Sequence, residues 1–202
     1  MGTRNLTCVY LDGEYKVAQY GQWDGYPSGQ GVTCLNFLRE KMDEESFKAK
    51  LRTMSFASTD YIQGVYDALR ARDGFILPFR LSSMEQLFPQ FHRDTAADVL
   101  EIIQARDVQY LENAISFAAD SLFCEWAYVI DFDKRTFEVY EGFNQTPLTE
   151  DDRFFFLEEK SHMEHRGDDQ YHPVKLVKAW NLDDLPTKEE FLGAFKEEGD
   201  DS

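Results

Sequence analysis

The segment LTCVYLDGEYKVAQY, residues 6–20, decides the fold of this 202-residue chain. The dipeptide Asp12-Gly13 supplies the positive φ angles that a two-residue turn requires, so the segment predicts a tight β-hairpin with strands over 6–11 and 14–20. Both faces of the first strand carry apolar residues, namely Leu6, Cys8 and Tyr10 on one face and Val9 and Leu11 on the other. Two apolar faces are typical of a strand in a sheet that is covered on both sides.

The hydrophobic pattern of the remaining chain predicts helices followed by strands. Helices are expected over 32–42, 45–54, 60–72 and 81–88, and a longer helical region is expected after Asp94-Thr95, with a buried stripe of Val108, Leu111, Ile115, Ala118 and Leu122. Strands are expected over 126–132 and 136–141, joined as a hairpin by a turn at Asp133-Lys134, and over 153–157 and 173–180. Trp126, Tyr128, Ile130 and Phe132 are expected to share one face of their strand, and a last helix is expected over 188–196.

Strands at both ends of the chain with helices between them predict the α+β class. We expect one globular domain over 1–196, in which helices cover a mostly antiparallel mixed sheet, and an acidic disordered tail over 197–202. An αββα-like arrangement of the layers is the first choice, and an ordinary two-layer α+β domain is the second.

The composition indicates a globular cytoplasmic protein that does not contact a membrane. The chain starts without an apolar run and contains no apolar segment near the ~18 residues that cross a bilayer. Its three cysteines are odd in number and widely spaced, which is typical of free thiols in a reducing compartment.

The net charge of −17 is distributed unevenly. Residues 1–93 contain 11 basic and 11 acidic residues, whereas residues 94–202 contain 10 and 27. This excess of acidic residues either keeps the surface soluble or forms an acidic site for a cationic substrate.

The stretch QYGQWDGYPSGQG, residues 19–31, is the first candidate site. As a purely structural loop it would form two turns and pack Trp23 and Tyr26 on the core. As a functional loop, its glycines would bring backbone N–H groups to a ligand. The candidate catalytic residues are then Asp24, Tyr26 and Ser28, and the candidate substrate-binding residues are Gln19, Gln22 and Gln30.

Two further stretches contribute candidates. Arg4 and Asn5 precede the first strand and could bind a phosphate or carboxylate. Asp120, Cys124 and Glu125 lie among apolar residues where a helix is expected to end. A carboxylate in such surroundings is a candidate acid, base or cation anchor, so Asp120 and Cys124 are assigned to catalysis and Glu125 to substrate binding. The alternative roles are helix capping for the carboxylates and core packing for the thiol.

The sequence predicts neither a metal site nor a cofactor site. The histidines near 162–172 match no closed zinc spacing, and the chain contains no nucleotide-binding motif or nucleophile elbow.

Several motifs carry a family resemblance. GTRNLT at 2–7, QWDGYPSGQG at 22–31, CEWAYVIDFD at 124–133 and FEVYEG at 137–142 resemble a family of small proteins of filamentous fungi. This family is identified as that of the arginine-containing cyclodipeptide synthases. The resemblance covers about residues 1–142. It implies an enzyme that takes arginine from arginyl-tRNA and joins it to a second aminoacyl group as a cyclo-Arg-Xaa diketopiperazine, without a cofactor. It assigns no catalytic residues.

The residues are compatible with this function but leave alternatives open. A guanidinium pairs with a carboxylate, for which Asp24, Asp120 and Glu125 are available. Basic residues on two adjacent helices could follow tRNA phosphates or simply form salt bridges; they are Arg39, Lys41, Lys48, Lys50 and Arg52. The other functions considered are an amidohydrolase of the N-terminal-nucleophile type and a non-catalytic protein that binds a small ligand through the Gly-rich loop.

Overall fold

The structure is a computed structural model that describes residues 2–73, 87–164 and 171–195. Its centre is a five-stranded sheet with the order β2-β1-β5-β6-β7, and only β1 and β5 are parallel neighbours. The strands of this sheet are β1 (Asn5–Leu11), β2 (Glu14–Gly21), β5 (Trp126–Asp131), β6 (Thr136–Glu141) and β7 (Lys175–Asn181). A separate parallel pair consists of β3 (Ser55–Phe56) and β4 (Tyr110–Leu111).

Both predicted hairpins are confirmed. Asp12 and Gly13 have φ angles of 55° and 81°, which a two-residue turn between antiparallel strands requires. The β5–β6 hairpin turns through Arg135, which has a φ of 57°.

The helices lie mostly where the sequence predicts them. The first is continuous, with a π-helical turn at Pro27–Gly31, the α-helix α1 (Val32–Asn36) and a second π-helical turn at Phe37–Lys41. It therefore begins five residues earlier than predicted, inside the Gly-rich stretch. The remaining helices are α2 (Glu44–Thr53), α3 (Thr59–Asp73), α4 (Val99–Ala105), α5 (Glu158–Glu164) and α6 (Lys188–Gly193).

Two predicted elements are wrong. The long helix after Asp94-Thr95 is only α4, which ends where Arg106 becomes extended, and a β4 strand and a 3₁₀ turn (Ile115–Ala119) follow. The apolar residues from 108 to 122 that recur every three or four positions belong to several different elements instead of one helix. Residues 153–157 form a turn and a 3₁₀ turn (Phe155–Leu157) instead of a strand, because Phe154 and Leu157 both pack on the sheet while Phe156 points outward.

Apolar residues cover both faces of the sheet. One face packs against the first helix, α2, α4 and α6, and the other packs against the 112–124 segment and residues 148–157. Trp126, Tyr128, Ile130 and Phe132 share the first face, as predicted. The α+β class with a mostly antiparallel, covered sheet is thus confirmed, and its strand layer is one sheet rather than the paired sheets of an αββα domain. Most of the predicted helix over 81–88 and the predicted tail over 197–202 lie outside the described residues.

Candidate functional site

A cavity of about 530 Å³ lies beside the edge strand β2. The 112–120 segment reaches this edge at Ala18, whose carbonyl oxygen accepts a hydrogen bond of 2.9 Å from the Ala114 amide, and then turns away as the Ile115–Ala119 3₁₀ turn. The cavity is lined by residues of β2, α3 and two connecting segments, which are Gln19, Tyr20, Tyr66, Phe91, Arg93, Glu112, Asn113, Ala114, Ser116, Phe117 and Asp120. We call it the β2-edge cavity. It brings together two of the predicted site residues, Gln19 and Asp120.

Gln19 is the most informative residue of the cavity wall. Its side chain is almost fully buried, with the residue only 4% exposed. Its Nε2 donates to the Tyr20 carbonyl oxygen at 3.3 Å, whereas its Oε1 is buried without a hydrogen-bond partner among the described residues. An unpaired buried acceptor costs about 1–3 kcal/mol, so such a group is typical of a binding site that a donor completes.

Two more buried oxygens lie next to Gln19 on the same face of the sheet. Thr7 is its cross-strand neighbour, and Asn5 is two residues from Thr7 along β1. Asn5 Oδ1 and Thr7 Oγ1 are also buried without a donor hydrogen-bonded to them in the described parts of the chain. Of these three buried polar residues, only Gln19 lines the cavity.

Three ionisable groups of the cavity have raised pKa values, namely Tyr20, Tyr66 and Glu112. Desolvation raises the pKa of Glu112, and desolvation together with the nearby Glu112 charge raises the pKa of Tyr66. Desolvation also raises the pKa of Tyr20, although the charges of Arg4 and Arg93 oppose it. A raised pKa makes a carboxylate a stronger base than usual, and the exposed position of Glu112 leaves it open to a substrate, so Glu112 is a candidate general base.

Residues 21–31 of the Gly-rich stretch fold down on the sheet instead of lining this cavity. The Gly25 amide donates to the Thr3 carbonyl oxygen at 3.0 Å, and the Gly25 carbonyl oxygen accepts from the Tyr128 hydroxyl at 2.6 Å. A Cβ atom on Gly29 would lie 2.2 Å from the Asp24 carbonyl oxygen. The glycines are therefore needed because backbone segments touch one another.

The polar residues of this stretch have different positions. Asp24, Tyr26 and Ser28 are exposed and do not line the β2-edge cavity. Gln22 Oε1 accepts from the Tyr20 hydroxyl at 2.7 Å, and Gln30 Oε1 accepts from the Ala97 amide at 3.1 Å. Gln22 and Gln30 thus hold neighbouring segments in place.

The remaining candidates lie at the same end of the sheet. Asn5 Nδ2 donates to the Trp23 carbonyl oxygen at 3.2 Å, and the Arg4 amide donates to Glu125 Oε1 at 3.2 Å. Cys124 is fully buried, and desolvation raises the pKa of its thiol well above the usual value. This environment favours core packing over a nucleophilic role for Cys124.

The basic side chains of the first helix and α2 form ion pairs or hydrogen bonds with other residues of the protein. Lys41 pairs with Glu101, Lys48 with Glu44 and Arg52 with Asp12. Arg39 and Lys50 donate to backbone carbonyl oxygens. These contacts favour a salt-bridged surface over a path for RNA phosphates.

A second polar cluster lies at the opposite end of the sheet. Arg153, which is nearly buried, forms ion pairs with the buried carboxylates of Asp131 and Glu138. Burial by itself lowers the pKa of Arg153, but the hydrogen bonds to these carboxylates outweigh it and raise the pKa. Burial likewise opposes ionisation of Glu138, yet hydrogen bonds from Arg153 and Tyr140 hold its pKa below the usual value.

The sequence did not single out Tyr66, Arg93, Glu112 or Ser116 as cavity residues. Glu112 and Ser116 fell in the region predicted as one long helix, and Tyr66 and Arg93 come from segments far away along the chain. The sequence does contain one indication of the site, because the polar pair Glu112-Asn113 interrupts a mostly apolar stretch at 108–119.

The described residues contain no group of three or more His, Cys, Asp or Glu that could hold a metal ion. Across the same residues, no helix is long and apolar enough to span a membrane. Comparison with known proteins gave no matching family model, curated protein or solved structure.

Proposed function

We propose that the protein is an aminoacyltransferase that binds an arginyl group in the β2-edge cavity. It transfers arginine from arginyl-tRNA to a second aminoacyl group and releases a cyclo-Arg-Xaa diketopiperazine. The observation that carries this proposal is that Gln19 Oε1 is buried without a hydrogen-bond partner among the described residues, in a cavity that Asp120 also lines. A guanidinium offers five N–H donors and no acceptor, so it complements a wall that combines an amide oxygen and a carboxylate.

The size and charge of the cavity support this choice of ligand. A volume of about 530 Å³ lies within the usual range for a small-molecule site. Asp120 and Glu112 contribute two carboxylates against the single cation Arg93. The resemblance of the four motifs to the arginine-containing cyclodipeptide synthases supplies the reaction.

The chemistry follows from the esters that the substrates carry. The amino group of one aminoacyl-tRNA attacks the ester carbonyl carbon of the other, and Glu112 accepts the proton that the nitrogen loses. The bond from this carbon to the tRNA ribose oxygen breaks, and the ribose oxygen takes the proton from Glu112. The free amino group of the dipeptidyl-tRNA then attacks the remaining ester, which closes the six-membered ring and releases the second tRNA. Because both esters are already activated, the reaction needs no ATP.

Incubation of the purified protein with radiolabelled arginyl-tRNA and a mixture of other aminoacyl-tRNAs tests the proposal. Mass spectrometry should detect a cyclic dipeptide that contains arginine. Absence of such a product with every aminoacyl-tRNA would refute this function, and binding of arginine without turnover would indicate a binding protein instead. Release of free arginine alone would indicate a hydrolase.

The role of Glu112 has its own test. Glu112→Gln should lower kcat by roughly 10²- to 10⁴-fold and leave KM nearly unchanged, since it removes a base but no guanidinium contact. The wild-type rate should fall as the pH drops through the raised pKa of Glu112, because only the ionised form accepts a proton. The control is Glu45→Gln on the exposed face of α2, which should keep full activity. A Glu112→Gln variant with wild-type kcat would exclude Glu112 as the base.

A further inference from the structure

We propose that Arg4 and Arg93 bind phosphate groups of the single-stranded 3′ end of the RNA that carries the aminoacyl ester. This assignment rests on the proposed function, because it identifies where the tRNA of that reaction would contact the protein. The two arginines take the place of the RNA-binding candidates on the first helix and α2, because the basic side chains there form ion pairs or hydrogen bonds within the protein.

Arg4 contacts Glu125 and Phe123, and its guanidinium has no ion-pair partner among the described residues. Its backbone amide donates to Glu125 Oε1 at 3.2 Å, and its guanidinium carbon lies 4.4 Å above the centre of the Phe123 ring. No carboxylate of the described residues lies within ion-pair distance of this guanidinium. Stacking on an aromatic ring leaves the N–H groups at the guanidinium edge available to an anion.

Arg93 lines the β2-edge cavity, and its side chain is 63% exposed. Among the described residues, its one ion-pair contact joins Nε to Oδ1 of its sequence neighbour Asp94 at 3.5 Å, and such a contact contributes little at a surface. By contrast, four other arginines make short side-chain contacts to carboxylates or carbonyl oxygens, namely Arg39, Arg52, Arg135 and Arg153.

The two arginines act on the same part of the cavity wall. Tyr20 lines the cavity, and the charges of Arg4 and Arg93 oppose the rise of its pKa that desolvation causes, whereas the charge of Asp94 adds to that rise. Arg4 has no carboxylate partner among the described residues and Arg93 has only the 3.5 Å contact to Asp94, so both guanidinium groups can bind an anion although the chain has a net charge of −17.

The chemistry of an aminoacyl-tRNA fits this arrangement. The amino acid is esterified to the terminal ribose. When the aminoacyl group occupies the cavity, the phosphates next to that ribose therefore lie close to the cavity entrance. Two guanidinium groups suit such a backbone, since Arg binds phosphate oxygens bidentately. Phe123 is 42% exposed and offers a ring on which an unpaired base can stack.

Fluorescence anisotropy with a labelled single-stranded RNA that ends in CCA and carries no amino acid tests the proposal. The affinity of the wild-type protein should fall with increasing salt concentration, because bound phosphates release counterions. Arg4→Gln/Arg93→Gln should reduce the slope of log K against log salt by about 1.4, which is about 0.7 for each lost single-strand phosphate contact. The matched control, Arg52→Gln/Arg106→Gln, removes two exposed arginines elsewhere and should leave the slope unchanged.

An unchanged slope in the double variant, or an equal decrease in the control, would overturn the proposal. If Arg4→Gln does not fold, the exposed Arg93→Gln variant alone should still reduce the slope by about 0.7. The RNA carries no amino acid, so this assay is independent of turnover. RNA binding through both arginines without product formation would refute the proposed reaction only, whereas product formation that is insensitive to both substitutions would refute the RNA site only.

Discussion

Replacing Gln19 by Met should make the folded protein more stable and the arginine site weaker. Met has nearly the length of Gln but no carboxamide. The substitution removes the buried Oε1 that has no partner in the described structure, and it also removes the 3.3 Å hydrogen bond from Nε2 to the Tyr20 carbonyl oxygen. Stability and ligand binding should therefore change in opposite directions.

The two contributions give the expected size of the change. Removal of an unpaired buried acceptor gains about 1–3 kcal/mol, and the lost hydrogen bond costs about 0.5–1.5 kcal/mol, so the net gain is about 1 kcal/mol. For a protein of this length, about 1 kcal/mol raises Tm by roughly 2–4 °C. A hydrogen bond to a charged group contributes about 1.5–3 kcal/mol, so the Kd for arginine methyl ester should rise by roughly 10- to 100-fold.

Thermal unfolding and calorimetric titration with arginine methyl ester measure the two effects. Gln30→Met is the matched control, because Gln30 Oε1 accepts from the buried Ala97 amide at 3.1 Å and its loss leaves that donor unpaired. The control should lower stability by about 1–3 kcal/mol. If Gln19→Met lowers Tm as much as Gln30→Met does, the Gln19 oxygen is already satisfied in the folded protein, and the reasoning fails.

Two further predictions concern stability alone. Gly29→Ala should cost about 1–3 kcal/mol in the free energy of unfolding, because its Cβ would lie 2.2 Å from the Asp24 carbonyl oxygen, whereas Gly64→Ala, which meets open space in α3, should be neutral or stabilising by chemical denaturation. Arg153→Met should cost about 3–5 kcal/mol, because it leaves two buried carboxylates without their cation. In the wild type, ionised Glu138 stabilises the folded protein at neutral pH, and this stabilisation is lost as the pH falls below the ordinary pKa of 4.5 and through the lowered pKa of the folded state. In thermal unfolding at decreasing pH, the Tm of the wild type should therefore fall more steeply than the Tm of the variant. Equal acid sensitivity of the two proteins would contradict this assignment.

The sequence predicts the parts of the fold that depend on neighbouring residues. The Asp12-Gly13 hairpin and the β5–β6 hairpin follow from turn chemistry and strand periodicity, and both are confirmed. The predicted strand over 153–157 failed because a run of apolar residues does not by itself distinguish a strand from a short helical turn.

The candidate site was less accessible to sequence reasoning. Gln19 and Asp120 were predicted from their polar or apolar surroundings, and the structure brings them to one cavity. Glu112 and Arg93 could not be predicted, because their contribution depends on the β2 edge and two connecting segments meeting in space. The Gly-rich stretch attracted attention for its composition, yet the structure uses its glycines chiefly for close backbone packing.

The parallel pairing of β1 and β5 has a consequence for how the chain folds. Asn5 pairs with Trp126 and Tyr10 pairs with Asp131. The two central strands of the sheet are therefore far apart along the chain and are connected by a long crossover. Pairing between segments so far apart along the chain slows folding, because the entropy of closing the loop must be overcome first. During synthesis the β1–β2 hairpin emerges before β5, so the inner edge of β1 stays open until residues 126–131 have left the ribosome. In that interval the nascent chain carries an unpaired apolar edge, which makes it a substrate for chaperones and a site for aggregation.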